Sequence, residues 1–97
     1  MFRRLYWVSE TVLSDGTSRV LGIYTSIPDL IRNGLRHGAD ERLRLNLVKL
    51  DSGHPPFGVW NSPDFDDMEA ALEQYVATDE MSKEHVVDLV NAVRASA

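Results

Sequence analysis

The chain has 97 residues, of which 43% are hydrophobic and 26% charged, which fits one globular domain and leaves no room for a second core. Cysteine is absent, which excludes disulfides, thiol nucleophiles and cysteine-ligated metal centres and favours a reducing, cytoplasmic location. The net charge is −5, but residues 1–49 carry eight basic and five acidic side chains whereas residues 50–97 carry two and ten.

The first predicted elements are two strands joined as a hairpin. Apolar residues are dense over residues 4–12 and fall on both parities, so this strand has two apolar faces. Asp15-Gly16 predicts a two-residue loop, because this pair favours positive φ at both central positions, and the return strand covers about 19–25. Such a loop fixes two cross-strand pairs, which are Val8 with Ile23 and Trp7 with Tyr24.

A short helix of about 10 residues is predicted next. Ser26 is a good N-cap, Pro28 suits a first turn that needs no N–H, and Asp29 stands at capping-box spacing. Gly38 marks the expected C-terminal stop. The inward stripe consists of Leu30, Ile31, Gly34 and Leu35.

A second strand pair follows. Residues 42–47 alternate between leucine and polar side chains, which predicts a half-buried strand with its leucines inward. The alternation slips at residues 48–50, where a bulge is possible. Residues 51–56 are rich in turn formers, and residues 57–61 form the fourth predicted strand.

Two helices complete the chain. Ser62-Pro63 repeats the pattern of N-cap and proline and predicts a helix of about four turns. Its inward residues are Phe65, Met68, Ala71, Leu72, Tyr75 and Val76. Residues 78–80 break this helix, and a last helix covers about 82–96. The inward residues of the last helix are Val86, Leu89, Val90 and Val93.

The string Gly22-Ile23-Tyr24-Thr25-Ser26 returns as Gly58-Val59-Trp60-Asn61-Ser62. We interpret this as an internal repeat of two β-β-α units, about 3–38 and 41–77, although any strand that runs into a helix has a similar pattern. The predicted fold is a single α+β domain over residues 1–97. It has a four-stranded antiparallel sheet with helices on one face, and an additional C-terminal helix.

The predicted register divides the strand residues between two faces of the sheet. The helix-covered core is expected to contain Tyr6, Val8, Leu21, Ile23, Leu43, Leu45, Leu47, Phe57 and Val59. The opposite face then carries the candidate partner-binding residues, which are Trp7, Tyr24, Arg42, Arg44 and Trp60.

Three interpretations of this aromatic and basic face remain open. Trp, Tyr and Arg are the preferred anchors of protein interfaces, the last helix can instead cover the rings, and exposed rings beside arginines can bind single-stranded nucleic acid. We expect a small non-enzymatic interaction or regulatory module that forms a homodimer or binds another protein. Nucleic-acid binding through the same face is the alternative.

Other classes of function find no support in the sequence. His37, His54 and His85 lack the spacing of a metal site, so we expect no metal and no cofactor. Apolar runs of only a few residues predict no membrane span. Gly22-Ile23-Tyr24 resembles a segment of GIY-YIG nucleases, and the junction around it resembles the hybrid-binding domain of eukaryotic ribonucleases H. The first likeness lacks the second strand motif and catalytic Arg and Glu, and neither assigns a site.

Overall fold

The computed structural model describes residues 5–38, 40–49 and 58–96, and its elements follow the predicted order. They are β1 (Leu5–Val12), β2 (Ser18–Tyr24), α1 (Ile27–Asn33), β3 (Arg42–Lys49), β4 (Gly58–Asn61), α2 (Met68–Ala77) and α3 (Lys83–Ser96). The strands form one antiparallel sheet in the order β2-β1-β3-β4. The α+β class, the helices on one face and the additional C-terminal helix are therefore confirmed. The predicted turn at 51–56, with His54, and the core position Phe57 lie outside the described residues.

The first hairpin has the predicted pairs but a different loop. Trp7 pairs with Tyr24, and Val8 with Ile23. The loop contains three residues, 14–16, rather than two, because the Leu13 N–H donates to the Thr17 carbonyl at 2.7 Å. Gly16 supplies the left-handed residue of this loop, with φ of 88°.

A β-bulge in β2 compensates for the longer loop. Ser9 pairs with Gly22 and Glu10 with Val20, so Leu21 is the extra residue that has no partner on β1. The loop adds one residue to the hairpin and the bulge restores the register. The pairs nearer the open end of the hairpin therefore fall where a two-residue loop would have placed them.

The predicted caps differ in outcome. Ser26 accepts a hydrogen bond from the Asp29 N–H at 3.3 Å and begins α1 as predicted, although the helix already ends before Gly34. Ser62 caps no helix, because α2 begins only at Met68, with Asp67 in the N-cap position. The buried Phe65 joins the core from the connection before α2. The predicted four-turn helix is therefore shorter, at 10 residues.

The strand β3 is regular over its described length. Val48 and Lys49 pair in register with Tyr6 and Leu5, so the slip in the sequence pattern is no bulge at these two positions. Leu50 lies outside the described residues.

The predicted division of residues between the two faces is wrong for β1, β2 and β4. Trp7 pairs with Leu47, so the indole shares a face with the leucines of β3 and is only 2% exposed. Trp60 pairs with Leu45 on the same face and is 6% exposed. We call this side, which the three helices cover, the covered face. Its core cluster is Trp7, Ile27, Leu30, Leu35, Leu43, Leu45, Leu47, Trp60, Phe65, Met68, Leu72, Val86, Leu89, Val90 and Val93.

The tryptophans explain this choice of face. Burial removes about 150–250 Å² of a Trp side chain from water, which corresponds to roughly 4–6 kcal/mol for each ring. A buried valine contributes only about 1.5–3 kcal/mol. The sheet therefore covers Trp7 and leaves Val8 on the other side, even though Ser9 and Thr11 become buried with the indole.

Four residues expected in the core consequently lie on the uncovered side. They are Tyr6, Val8, Ile23 and Val59, whose register partners place them on the face of the sheet that does not carry the leucines of β3. Leu21 is the bulged residue and is 36% exposed. Leu43, Leu45 and Leu47 are buried as predicted.

Two glycines provide the space in which aromatic rings lie on the covered face. A Cβ atom on Gly58 would overlap the indole of Trp60, and a Cβ atom on Gly22 would overlap the phenol of Tyr24. In both strands the ring two residues after the glycine folds back across it. Gly34 also lies close to the Tyr24 ring, since a Cβ atom there would lie 2.6 Å from Cε2.

We predict that Gly58→Ala destabilises the protein by about 1–3 kcal/mol, because the new methyl group displaces the buried indole of Trp60. A loss of this size lowers the melting temperature by about 4 °C or more in a domain of this length. Gly38→Ala is the control, since its nearest neighbour is the flexible side chain of Glu41 at 3.3 Å. Equal melting temperatures for the two variants would contradict the prediction.

Candidate interaction surface on the open sheet face

The uncovered side of the sheet, which we call the open face, is set by the strand register. It consists of Tyr6, Val8, Glu10, Val12, Ser18, Val20, Ile23, Arg42, Arg44, Asn46, Val48, Val59 and Asn61. These side chains form rows across the strands. One row contains Ile23, Val8, Asn46 and Val59 in that order, and the next contains Val20, Glu10, Arg44 and Asn61.

The open face exposes several large apolar side chains. Ile23 is 65% exposed, Val20 57% and Val59 47%, and the bulged Leu21 adds a further apolar side chain on β2. Val8, Val12 and Val48 are partly buried between their neighbours. Contiguous apolar patches on soluble proteins commonly mark interaction sites.

A polar cluster occupies the centre of this face. The Arg44 guanidinium donates to both carboxylate oxygens of Glu10, from Nη2 to Oε2 at 3.0 Å and from Nε to Oε1 at 3.3 Å. The Asn46 amide nitrogen donates to Glu10 Oε1 at 2.7 Å and to the Val8 carbonyl at 3.1 Å. The Arg44–Glu10 pair is bidentate, and the Asn46 amide supplies a third hydrogen bond to the same carboxylate. These three bonds hold the polar side chains in a defined arrangement among the valines.

The surroundings of Glu10 determine its titration. The hydrogen bond from Arg44 holds the pKa of the Glu10 carboxyl below its usual value of 4.5, and the Asn46 hydrogen bond and the positive charge of Arg44 act in the same direction. Partial burial opposes them by disfavouring the charged form. The folded protein therefore favours the ionised carboxylate.

The residues that the sequence predicted as a single partner-binding face lie on both sides of the sheet. Trp7 and Trp60 are buried on the covered face, with ring centroids 6.0 Å apart, and Tyr24 lies there close to Gly22 and Gly34. Arg42 and Arg44 lie on the open face. The nucleic-acid alternative depended on exposed rings beside these arginines, and the burial of both indoles removes that support.

Sequence reasoning missed the residues that dominate the open face, which are Val20, Ile23, Val59 and Glu10. A signal was present in the Gly-x-aromatic spacing, because residues i and i+2 of a strand share a face. A large ring that follows a glycine in this way can fold over it, which places the ring and the glycine together against the core. An interpretation based on this spacing would have placed Ile23 and Val59 on the open face.

The open face also differs from the rest of the molecule in charge. Glu10 is its single carboxylate within the described ranges, and Arg44 neutralises it. The chain as a whole has 15 acidic residues and a net charge of −5. The acidic side chains of the described residues therefore lie almost entirely elsewhere, on the loops and helices.

Metal clusters and membrane-spanning helices are absent from the part of the chain that the structure describes. No group of three or more histidine, aspartate or glutamate side chains there could hold a metal ion. No described helix is long and apolar enough to cross a membrane. No family model matches the chain, and no curated protein or solved structure is significantly similar to it.

We predict that Glu10→Gln lowers the free energy of unfolding at pH 7 by about 1–2 kcal/mol, because Arg44 loses its charged partner. A lowered pKa in the folded state stabilises the protein above the unfolded value of 4.5, and this contribution is lost as the pH falls below that value. The difference between wild type and variant should therefore shrink towards low pH. Denaturant unfolding at a series of pH values, with dilute protein, measures it.

Glu73→Gln is the matched control, because Glu73 is exposed on α2 and has no ion-pair partner among the described residues. Its effect should be small at every pH. A Glu10→Gln variant whose stability follows that of Glu73→Gln across the whole series would refute a stabilising role for the pair.

Proposed function

We propose that this protein is a small non-enzymatic interaction module that self-associates by packing the open faces of two copies against each other. The observation that carries the proposal is the exposure of Ile23, Val20 and Val59 on a sheet face against which no described element packs. Two antiparallel sheets that pack face to face are a common way to cover such surfaces.

Charge directs a second copy to the open face. Two molecules with a net charge of −5 repel each other over most of their surfaces. The open face is where this repulsion is weakest, because its described residues include one neutralised carboxylate and the additional cation Arg42. A symmetric pair of open faces therefore brings apolar surface together without bringing unpaired carboxylates together.

The polar cluster is compatible with burial in such an interface. Burying one charge without a partner is strongly unfavourable, whereas a bidentate pair with a third hydrogen bond is already compensated within each copy. Within the described residues, Asn46 Oδ1 has no hydrogen-bond donor, so it can accept one from the facing copy.

The bulge in β2 favours association through the face over association through the edge. β2 is an edge strand, and exposed edge strands can pair with strands of another chain. The extra residue Leu21 interrupts the regular ladder there, and bulges of this kind discourage edge-to-edge pairing. The side chains of Val20 and Ile23, rather than the backbone of β2, are then the contact surface.

The area of the open face sets the expected affinity of self-association. At about 3.4 Å per residue and 4.8 Å per strand, the four strands have a flat footprint of roughly 400–450 Å². Two copies would therefore bury about 900 Å² of surface in total, counted as flat faces without the additional area of protruding side chains. This area is near the lower limit for specific interfaces. We expect dissociation constants in the micromolar range.

We predict that Ile23→Lys with Val59→Lys abolishes self-association, because two charges would be buried without partners in the interface. Sedimentation equilibrium between about 5 and 500 µM, a range that brackets the expected affinity, distinguishes the monomer of 10.9 kDa from its dimer. The wild type should shift towards dimer with concentration, and the variant should remain monomeric.

Ala70→Lys with Asn91→Lys introduces the same charges at exposed positions of α2 and α3 and is the control. It should dimerise like the wild type. A wild type that is monomeric throughout this range, or a control that loses association as fully as the sheet variant, would overturn the proposal.

A further inference from the structure

A groove runs between α1 and α3 on the helical side of the molecule, away from the open face. It consists of two cavities of about 420 and 450 Å³ that meet at Ile27 and His85. We call it the α1/α3 groove. Each cavity lies within the size range of pockets for small organic ligands, which is roughly 300–1,000 Å³.

The first cavity has a mixed lining of apolar and polar side chains. Its apolar lining residues are the nearly fully buried Trp7 and Ile27 and the partly buried Leu5 and Met81. The remaining described lining residues are Thr25, Ser26, Glu80, Ser82 and His85. A compact aromatic or branched aliphatic group can therefore contact apolar atoms on several sides.

The second cavity is electronegative. Glu84 and Asp88 lie one helical turn apart on α3, and neither has an ion-pair partner among the described residues. Arg32 is the single cation among the described lining residues, and it lies 3.7 Å from the Asp29 carboxylate on its own helix. Glu84 complements the positive end of α3, but Asp88 lies a turn further along and has no such role.

We propose that the α1/α3 groove binds a small organic cation, an amine that carries a compact apolar body. The body packs against Ile27 and Met81 in the first cavity, and the ammonium group lies near Glu84 and Asp88 in the second. His85 lies between the two cavities and contacts either part of the ligand. The apolar surface supplies affinity, and the two carboxylates select for positive charge.

The test uses two probes with the same ring system and opposite charge, tryptamine and indole-3-propionate. Titration of the labelled wild-type protein is followed by amide chemical shifts in NMR spectra. We expect tryptamine to shift the signals of Ile27, Met81 and His85 in a saturable manner. Indole-3-propionate should bind at least about tenfold more weakly, because the carboxylates of the second cavity repel it.

Glu84→Gln with Asp88→Asn should remove most of the difference between the two probes. Asp66→Asn with Asp67→Asn is the matched control, because it removes the same number of charges from exposed positions outside the groove and should preserve the difference. Phenethylamine and cyclohexylmethylamine extend the test to ligands with other apolar groups.

The inference is overturned if the amide shifts of the groove residues do not saturate below 10 mM with any of the three amines, a weak limit for ligands of this size. It is also overturned if both variants change the probe preference equally.

The result is independent of self-association. The variant with Ile23→Lys and Val59→Lys carries its substitutions on the opposite side of the sheet and should bind tryptamine with unchanged affinity. Loss of amine binding in that variant would contradict the placement of the ligand in the α1/α3 groove.

Discussion

The contact between Trp7 and Trp60 against the leucines of β3 is the constraint on which the rest of this structure depends. The two indoles come from strands on either side of β3, and their centroids are 6.0 Å apart. The face that one residue of a strand occupies determines the face of its neighbours, because successive side chains point to opposite faces. Once the indoles and the leucines share the covered face, Val8, Val59 and Ile23 must lie on the other one. The exposed apolar surface of this protein is thus a direct consequence of how its core is packed.

The two related strings in the sequence have a packing role. In each, a glycine provides flat backbone across which the ring two residues later lies, and Gly34 at the end of α1 provides a second such surface for Tyr24. The tyrosine therefore joins β2 to α1, whereas Trp60 joins β4 to the central core. The strings diverge after this point. Ser26 caps α1 directly, but the chain makes a further turn between Ser62 and the start of α2.

Local signals in the sequence predicted the order of the elements, the leucine row, the cap at Ser26 and the inward stripe of α3, because each depends on neighbouring residues alone. The orientation of β1 could not be predicted in this way. Its apolar residues occupy both parities, and only long-range pairing with β3 decides which side is covered. The error then propagated to the candidate site, since Trp7 and Arg44 are fixed on opposite faces by the same pairing. The polar cluster was missed because Glu10, Arg44 and Asn46 are distant in sequence and meet only across two strands.

The same packing separates two surfaces with different chemistry. The open face is apolar around one neutralised ion pair, so it suits a partner with a similar face, and a second copy meets that requirement by symmetry. The described carboxylates lie almost entirely on the loops and helices, and two of them, Glu84 and Asp88, border a groove that reaches the covered indole of Trp7. Because the sheet lies between them, association through the open face leaves the groove accessible in both copies. A dimer of the proposed kind would present two acidic grooves on its outer sides, and the packing of the tryptophans would fix the position of each relative to the interface.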